Sequence, residues 1–348
     1  MTNKIYDVAI VGAGLAGLTC AKRLQELGFG VIILEKSRGL GGRVATRRLQ
    51  DTWVDHGNPY LEVQGSFTEQ LMRDLCNQGI CHLWTGSITQ LSQNGELQPY
   101  SSQSAYVSGT GLSAIAKFLA TDLEIWRSCR VINLALNSKQ TWKLSLETDS
   151  NYPHVVEAKT VVLAIPAPQA LMLIEASAIK NLAPSFLSDL ASVRFNPCLA
   201  VMAGYDSRYL SELSSQWQSL RIFTHPNLSW ISVESSKKNN SEAPIFIFHS
   251  TPSFAQTYLD TSNLELAGQQ LLDSASQLFF SWLNQPLWFQ VHRWRYALPL
   301  QSLSVSCLVA TDPLPIVCCG DWCGGHLVES ALNSGFTAAD KVLKNLLF

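Results

Sequence analysis

The stretch Asp7-Val8-Ala9-Ile10-Val11-Gly12-Ala13-Gly14-Leu15-Ala16-Gly17 determines the architecture that this sequence predicts. Its apolar first half is too short for a helix and rich in β-branched residues, which is typical of a strand buried on both faces. In Gly12-x-Gly14-x-x-Gly17, the first glycine allows a tight turn and the second lets a pyrophosphate approach the backbone. The third lets a helix pack closely on the strand. We therefore predict a strand, a turn and a helix whose N-terminus faces two phosphates.

A second predicted strand, Val31-Ile32-Ile33-Leu34, ends at Glu35. An acidic side chain at this place in a βαβ unit accepts hydrogen bonds from the ribose hydroxyls of an adenine dinucleotide. The alternative interpretation of Glu35 is a solvated residue at a strand end. Together, the glycine turn and Glu35 predict a dinucleotide-binding domain.

The segment after Glu35, Lys36-Ser37-Arg38-Gly39-Leu40-Gly41-Gly42-Arg43, is a second loop rich in glycine and arginine. Arginines pair with pyrophosphate oxygens, and paired glycines let the backbone lie against a flat ring. At this point the chain resembles the FAD-dependent amine oxidase superfamily, whose members carry a Gly-Gly-Arg box just after the ribose acid. The resemblance implies FAD, bound non-covalently, as the cofactor.

Composition limits the class of protein. The chain has 348 residues, enough for two domains or for one domain interrupted by another. Its 47% hydrophobic and 15% charged residues are typical of a compact globular protein, and its net charge of −2 gives no case for nucleic acid or an anionic membrane. The first strand is predicted within a few residues of Met1, and no apolar run approaches the roughly 20 residues that span a bilayer. We therefore expect a soluble cytoplasmic protein.

Nine scattered cysteines predict reduced and mostly buried thiols. Cys318, Cys319 and Cys323 cluster in the sequence, but no His or Cys pair at ligand spacing accompanies them, so we predict no metal site. A thioether between Cys323 and the flavin is an alternative to the non-covalent binding that we predict.

Two further segments resemble the renalase family within that superfamily. Asp55-His56-Gly57 lies where such flavoproteins place an Asp-x-Gly beside the isoalloxazine, and Tyr60 matches the aromatic residue that follows it. Pro59 departs from the family pattern, in which a Gln precedes the aromatic residue. The run His292-Arg293-Trp294-Arg295-Tyr296 matches a His-x-Trp-Arg segment that leads back toward the flavin domain.

The last motif, Leu314-Pro315-Ile316-Val317-Cys318-Cys319-Gly320-Asp321, predicts a strand that ends in a carboxylate, at the sheet edge where ligands of open α/β sheets bind. Asp321 is expected to accept hydrogen bonds from the ribityl hydroxyls. A helix predicted from Val328 would point its N-terminus at the N1/C2 edge of the flavin. The complete predicted cofactor set is Gly12, Gly14, Ala16, Gly17, Glu35, Lys36, Arg38, Gly42, Arg43, Asp55, His56, Gly57, Val131, Asp321 and Val328. Val131 is included because the resemblance implies an adenine contact there, with a plain core position as the alternative.

We thus predict an α/β fold with a Rossmann-type FAD-binding domain of the glutathione-reductase and amine-oxidase type, formed by residues 1–65, 103–165 and 303–348. An inserted α+β substrate domain with an antiparallel sheet is predicted for residues 66–102 and 166–302. Gly109-x-Gly111 lacks a buried strand before it and is interpreted as a helix start, not as a second phosphate loop. With one dinucleotide fold, the reductant must meet the flavin directly.

The resemblance to the renalase family implies hydride transfer from 2- or 6-dihydro isomers of NAD(P) to flavin N5, with reoxidation by O2 to give H2O2. The flavin supplies the chemistry, so no acid–base pair is required. Tyr60, Trp294, Tyr296 and His326 are the candidates to line the substrate site, each with a structural role as the alternative. An amine oxidase, a desaturase-like enzyme on the same scaffold, and a non-catalytic flavin-binding interaction protein are the competing hypotheses. The oligomeric state is not predicted.

Overall fold

The computed structural model describes residues 4–347 apart from 87, 93, 102, 214–217 and 239–240. In chain order its strands are β1 (Ile5–Val11), β2 (Val31–Glu35), β3 (Thr46–Leu49), β4 (Thr52–Asp55), β5 (His82–Thr85), β6 (Ile88–Leu91), β7 (Leu97–Ser101), β8 (Ala105–Val107), β9 (Ile125–Arg127), β10 (Cys129–Leu136), β11 (Trp142–Thr148), β12 (Val155–Leu163), β13 (Arg194–Gly204), β14 (Ser219–Ile222), β15 (Leu228–Val233), β16 (Ile245–Ser250), β17 (Trp288–Gln301), β18 (Leu308–Ala310) and β19 (Ile316–Cys318). Its helices are α1 (Leu15–Glu26), α2 (Ser66–Asn77), α3 (Ser113–Leu119), α4 (Ala167–Ala176), α5 (Pro184–Ser192), α6 (Pro252–Thr257), α7 (Glu265–Leu278) and α8 (Val328–Leu347).

The larger sheet has eight strands around the parallel order β9-β2-β1-β12-β19. Its central strands β1, β2 and β12 are buried on both faces because helices cover each side. Val8 and Ile10 pack with α1 and α8 on one face, whereas Ala9 and Val11 pack with α4 and α5 on the other. The antiparallel strands β10 and β11 extend the sheet beyond β12. The predicted α/β fold with a Rossmann-like domain is confirmed.

The second sheet has seven strands in the order β17-β13-β16-β15-β14-β6-β7. Neighbouring strands are antiparallel except β14 and β6, which run parallel. One face packs against α6 and α7. The other face packs against Leu49 and Val54 of the β3–β4 hairpin, with Trp84 and Trp230 in the same cluster. The predicted antiparallel sheet is thus confirmed. It packs directly against the β3–β4 hairpin, which follows β2 in the chain.

Three helices, α2, α4 and α5, pack in the cores around the larger sheet although they lie in segments that the sequence assigns to the substrate domain. Residues 66–102 and 166–302 are predicted to form the substrate domain. Leu71 and Leu75 of α2 nevertheless pack in the core that contains α1 and α8, and Phe186 of α5 packs beneath the larger sheet. These helices have apolar faces that either sheet would cover, so local pattern does not choose between them. The outermost residues of the predicted limits, 1–3 and 348, lie outside the described residues.

A buried charged cluster joins the β3–β4 hairpin to the turn after β15 of the second sheet. We name it the junction cluster and define it as Asp55, Glu234 and Lys237. The Lys237 ammonium lies 2.7 Å from Glu234 Oε1 and 3.4 Å from Asp55 Oδ2. The backbone N–H of Asp55 donates to Glu234 Oε2 at 3.1 Å. All three side chains are almost completely buried, and burial raises the pKa of the Glu234 carboxyl. The cluster therefore fixes the end of β4 to the turn after β15.

Across the described ranges, no helix combines the length and the apolar character that crossing a membrane requires.

Candidate active site

A cavity of about 3060 Å³ runs from the carboxyl ends of β1 and β2 to the junction of the two sheets. Ligand pockets for drug-sized molecules usually measure roughly 300–1,000 Å³. This cavity therefore has room for an extended dinucleotide together with a second molecule. We describe it from its phosphate end to its sheet-junction end.

The glycine turn at the phosphate end is built as the motif predicts. Gly12 has φ +104, and a β-carbon there would lie 2.6 Å from the Ala164 carbonyl oxygen. A β-carbon on Gly14 would meet no atom within 4 Å, so the cavity reaches this backbone freely. Gly17 lies below the turn, where a β-carbon would approach the Gly12 carbonyl oxygen to 2.1 Å. No side chain caps α1, which leaves the N–H groups of its first turn available to a phosphate.

Glu35 is held in place at the ribose end. One carboxylate oxygen accepts from the Ala13 N–H at 2.8 Å, and the other accepts from the Ser37 N–H at 2.7 Å. A carboxylate has about four acceptor positions, so two are left for ribose hydroxyls. Lys36 and Arg38 line the cavity beside Glu35, as the sequence predicts.

Arg127 also lines this end, and sequence reasoning missed it. It pairs in register with Glu35 across β9 and β2, and its Nη1 lies 3.5 Å from the Arg38 carbonyl oxygen. A strand of three residues without a motif gives no local signal for such a position. Val131 of β10 is buried in the core and also borders the cavity.

The second glycine loop meets the C-terminal motif in the middle of the cavity. Arg43 Nη1 and Nη2 each donate to one carboxylate oxygen of Asp321 at 2.6 Å. Arg43 also donates to the Ala297 carbonyl oxygen at 3.2 Å. Gly42 has φ +56, a left-handed conformation that glycine adopts without strain. The predicted role of Asp321 as a ribityl acceptor stays a prediction, and it would use the lone pairs that Arg43 leaves open.

Gly57 and α8 close the cavity beyond Arg43. A β-carbon on Gly57 would lie 2.2 Å from the Arg43 carbonyl oxygen, so the two loops touch through backbone. Gly335 allows a similar close approach of α8 to α1, since a β-carbon there would lie 2.2 Å from the Ala16 carbonyl oxygen. Ala16 and Val328 border the cavity, and the exposed His326 stands at its rim.

The Asp55 carboxylate is engaged outside the cavity, whereas the resemblance implies a flavin contact through the backbone of Asp55-x-Gly57. Its carboxylate accepts from Thr46 Oγ1 at 2.6 Å and from the Leu112 N–H at 2.9 Å, and it pairs with Lys237. It is 1% exposed and is not part of the cavity wall. Asp55 therefore positions the turn that carries His56 and does not itself line the cavity.

Aromatic side chains wall the cavity at the sheet junction. The rings of Tyr60 and Trp230 have centroids 5.6 Å apart. Trp294 stacks on His56 at 5.2 Å, and its Nε1–H donates to the His56 carbonyl oxygen at 2.8 Å. Tyr296 packs edge-on against Phe195 and also borders the cavity. The four predicted substrate-site candidates thus all line the cavity, with His326 apart from the other three.

Three histidines meet beside this wall: His56, His249 and His292. The His56 and His292 rings have centroids 4.7 Å apart. Burial is the main cause that lowers the pKa of His56 to about 3 and the pKa of His249 and His292 to about 4. Arg47 lowers the pKa of His292 further, since its Nη1 lies 3.4 Å from His292 Nδ1. All three imidazoles are therefore neutral at pH 7.

His249 was not predicted, because it is one polar residue in the apolar strand β16 and its neighbours come from distant segments. Cys318, Cys319 and Cys323 lie buried outside the cavity wall, and burial raises the pKa of each thiol. Neutral buried thiols are poor nucleophiles, which supports non-covalent cofactor binding. Within the described part of the chain, no three His, Cys, Asp or Glu side chains are grouped so that they would hold a metal ion.

The sequence matches the profiles of two known families. The profile of flavin containing amine oxidoreductases matches residues 86–343, and that of an NAD(P)-binding Rossmann-like domain matches residues 10–78. The chain belongs to the flavin-containing amine oxidoreductase family. Membership confirms the predicted amine oxidase superfamily, the oxidoreductase class and FAD as the cofactor. Three features of the cavity fit this cofactor: the glycine turn, the two open acceptor positions of Glu35 and the loop that carries Arg43.

Curated relatives within the family match short segments. A probable flavin-containing monoamine oxidase A of Dictyostelium discoideum is 32% identical over 76 residues, which are 22% of this chain and 16% of the relative. A flavin-containing amine oxidase of Danio rerio is 40% identical over 62 residues, which are 18% of this chain and 12% of the relative. The chain thus spans less than a fifth of the length of either of these relatives.

Solved structures share the fold over the whole chain. A putrescine oxidase variant with redesigned cofactor binding superposes with a TM-score of 0.71 at 13% identity and covers 97% of this chain and 99% of that one. The cyclohexylamine oxidase of Brevibacterium oxydans IH-35A gives 0.70 at 12% identity, covering 99% and 100%. A putative protoporphyrinogen oxidase of Exiguobacterium sp. 255-15 gives 0.71 at 13% identity, covering 98% and 100%. At such identities the likeness concerns the fold alone.

Proposed function

We propose that this flavoprotein oxidises dihydronicotinamide nucleotides, specifically the 2- or 6-dihydro isomers of NAD(P), with O2 as the electron acceptor. The observation that carries the proposal is the aromatic and uncharged wall formed by His56, Trp294 and Tyr60 next to the Gly57 turn. A dihydronicotinamide ring is flat and uncharged, so it would stack on such a wall. FAD, when bound, would supply the hydride acceptor for this reaction and the route for the electrons to O2.

The residues that would hold FAD follow from the cavity. The turn at Gly12 and Gly14 and the start of α1 would receive the pyrophosphate. Glu35 would receive the adenosine ribose through its open acceptor positions. Arg43 and Asp321 would meet the ribityl chain, and Gly57 would lie beside the ring system. The chain thus orients the cofactor along the cavity and leaves the sheet-junction end for substrate.

Neutral histidines suit this reaction because it needs no base. The dihydropyridine ring loses a hydride and becomes a pyridinium cation, so no proton leaves the substrate. In sum, the dihydronicotinamide, O2 and one proton give the nicotinamide cation and H2O2. His56 and His292 would remain uncharged throughout and would contact the ring without titrating.

Oxidation of a primary amine is the second candidate, and Glu62 favours it. Glu62 lines the cavity next to Tyr60, and the two side chains interact closely enough to help raise the pKa of the phenol, although burial is the larger cause. A carboxylate at this place would pair with an ammonium group. The fold neighbours named putrescine oxidase and cyclohexylamine oxidase are in line with this alternative.

Anaerobic reduction of the flavin distinguishes the two candidates. The purified FAD-loaded protein is mixed with the 2-, 6- and 4-dihydro isomers of NAD(P) and, separately, with putrescine and cyclohexylamine, while flavin absorbance near its visible maximum is followed. We expect rapid bleaching by the 2- or 6-dihydro isomers and slow or no bleaching by the 4-dihydro isomer and the amines. Bleaching by amines alone would establish the second candidate, and a flavin that no compound reduces would favour a binding role without turnover.

A further inference from the structure

The side chain of Arg47 stands on the cavity wall without a carboxylate partner. Its guanidinium approaches His292 Nδ1 at 3.4 Å, and no carboxylate of the described residues lies within 4.0 Å of it. By contrast, Arg43 is paired with Asp321 and Arg295 with Asp260 at 2.7 Å. Arg47 is solvent-exposed, but it lies on the wall of a ligand cavity, where a cation that its own chain leaves uncompensated is a receptor for an anion.

The neighbours of Arg47 leave its charge unbalanced. His56 and His292 are neutral because burial and Arg47 itself oppose their protonation. If His292 Nδ1 accepts from Arg47, the ring proton is on Nε2, and the guanidinium is held against the β17 side of the cavity. Glu62 borders the same cavity, but it belongs to the Tyr60 side and forms no ion pair with Arg47.

We infer that Arg47, oriented by His292, binds the phosphate of the substrate nucleotide and so makes this site specific for phosphorylated dihydronicotinamides. The inference rests on the proposed function, because it assigns a role within the same substrate site. A guanidinium binds phosphate through paired N–H donors. The site should therefore bind a nucleotide more tightly than the corresponding nucleoside. The same positive charge opposes a cationic amine near His292.

The test compares two ligands that differ by one phosphate. Oxidised nicotinamide mononucleotide and nicotinamide riboside are titrated into the FAD-loaded protein by calorimetry, which requires no turnover. We expect the wild-type protein to bind the mononucleotide at least about tenfold more tightly, a ratio equivalent to ~1.4 kcal/mol. We expect this ratio to fall close to one in Arg47→Gln. Arg73→Gln, which removes the same charge from an exposed position of helix α2 outside the cavity, should keep the wild-type ratio.

Two results would overturn the inference. The first is a wild-type protein without phosphate preference, or an Arg47→Gln variant that keeps it. The second is loss of bound flavin in Arg47→Gln, measured as the ratio of visible to ultraviolet absorbance, because Arg47 would then serve the cofactor. Titration of inorganic pyrophosphate is a further test, and it does not depend on the proposed function. If neither nicotinamide ligand binds, pyrophosphate binding that is lost in Arg47→Gln still supports an anion site, and no pyrophosphate binding refutes it.

Discussion

At Gly57, one missing methyl group keeps two loops together. A β-carbon there would lie 2.2 Å from the Arg43 carbonyl oxygen, whereas a β-carbon on Gly39, in the same glycine-rich loop as Arg43, would meet nothing within 4 Å. The N–H of Asn58 also donates to that Arg43 carbonyl at 2.7 Å. The position of the Arg43 guanidinium therefore depends on Gly57, a residue that has no side chain with which to contact the cofactor.

We expect Gly57→Ala to weaken FAD binding by about tenfold or more, because relieving the clash moves Arg43 away from Asp321; overpacking of this kind costs about 1–3 kcal/mol. The measurement is the flavin content of purified protein and the dissociation constant for added FAD. Gly86→Ala, at an exposed position outside the cavity where a β-carbon would also meet nothing within 4 Å, is the control and should bind FAD as the wild type does. Equal flavin affinity in both variants would contradict the role given to Gly57.

Residues whose chemistry is local were predictable from sequence, and residues whose partners are distant were not. Gly12, Gly14 and Glu35 lie as predicted because the turn and the strand end form within one βαβ unit. Asp55 has the spacing of the family's Asp-x-Gly, and its carboxylate pairs with Lys237 in the turn after β15. Nothing near Asp55 in the sequence indicates Lys237, so this ion pair could not be predicted from the local pattern.

Among the elements, the β3–β4 hairpin has the largest effect on how the two sheets meet. Its Val54 packs against the second sheet, and Asp55 at its end enters the junction cluster. Lys238 adds to this contact by donating to the Thr52 hydroxyl and to the Trp53 carbonyl oxygen. The hairpin thus carries both His56 and Arg47 to the boundary between cofactor and substrate.

We expect Lys237→Met to lower the free energy of unfolding by about 3–5 kcal/mol, since it leaves Glu234 and Asp55 buried without their counter-charge. Chemical denaturation of the FAD-loaded protein measures this. Lys159→Met breaks an exposed ion pair with Asp7 and should cost ~1 kcal/mol or less. A similar small loss in both variants would show that the junction cluster adds nothing beyond a surface pair.

For the whole molecule, acid sensitivity follows from the three neutral histidines. Their pKa values in the folded protein are about 3 for His56 and about 4 for His249 and His292, below the ordinary value near 6.5. Between those values the unfolded chain binds more protons than the folded one, so stability falls as the pH falls. The loss begins near pH 6.5 and levels off once the folded protein also takes up the protons.

We expect the free energy of unfolding to decrease between pH 6.5 and pH 4 with a slope of up to about 1.4 kcal/mol per pH unit for each histidine. Denaturant unfolding at several pH values measures the slope. His249→Gln should reduce it, because glutamine does not titrate there, whereas replacement of exposed His82 by Gln should leave it unchanged. A slope that His249→Gln does not alter would contradict this assignment.

The pairing of Arg43 with Asp321 also orders events during protein synthesis. A nascent chain on the ribosome can form β1, α1 and β2 early. Arg43 can pair with the Asp321 carboxylate only after β19 has been translated and has joined β12. The whole second sheet is made in between. We expect capture of the vitamin-derived cofactor to be a late step in the synthesis of the polypeptide, so that a message truncated upstream of Asp321 would yield a colourless product.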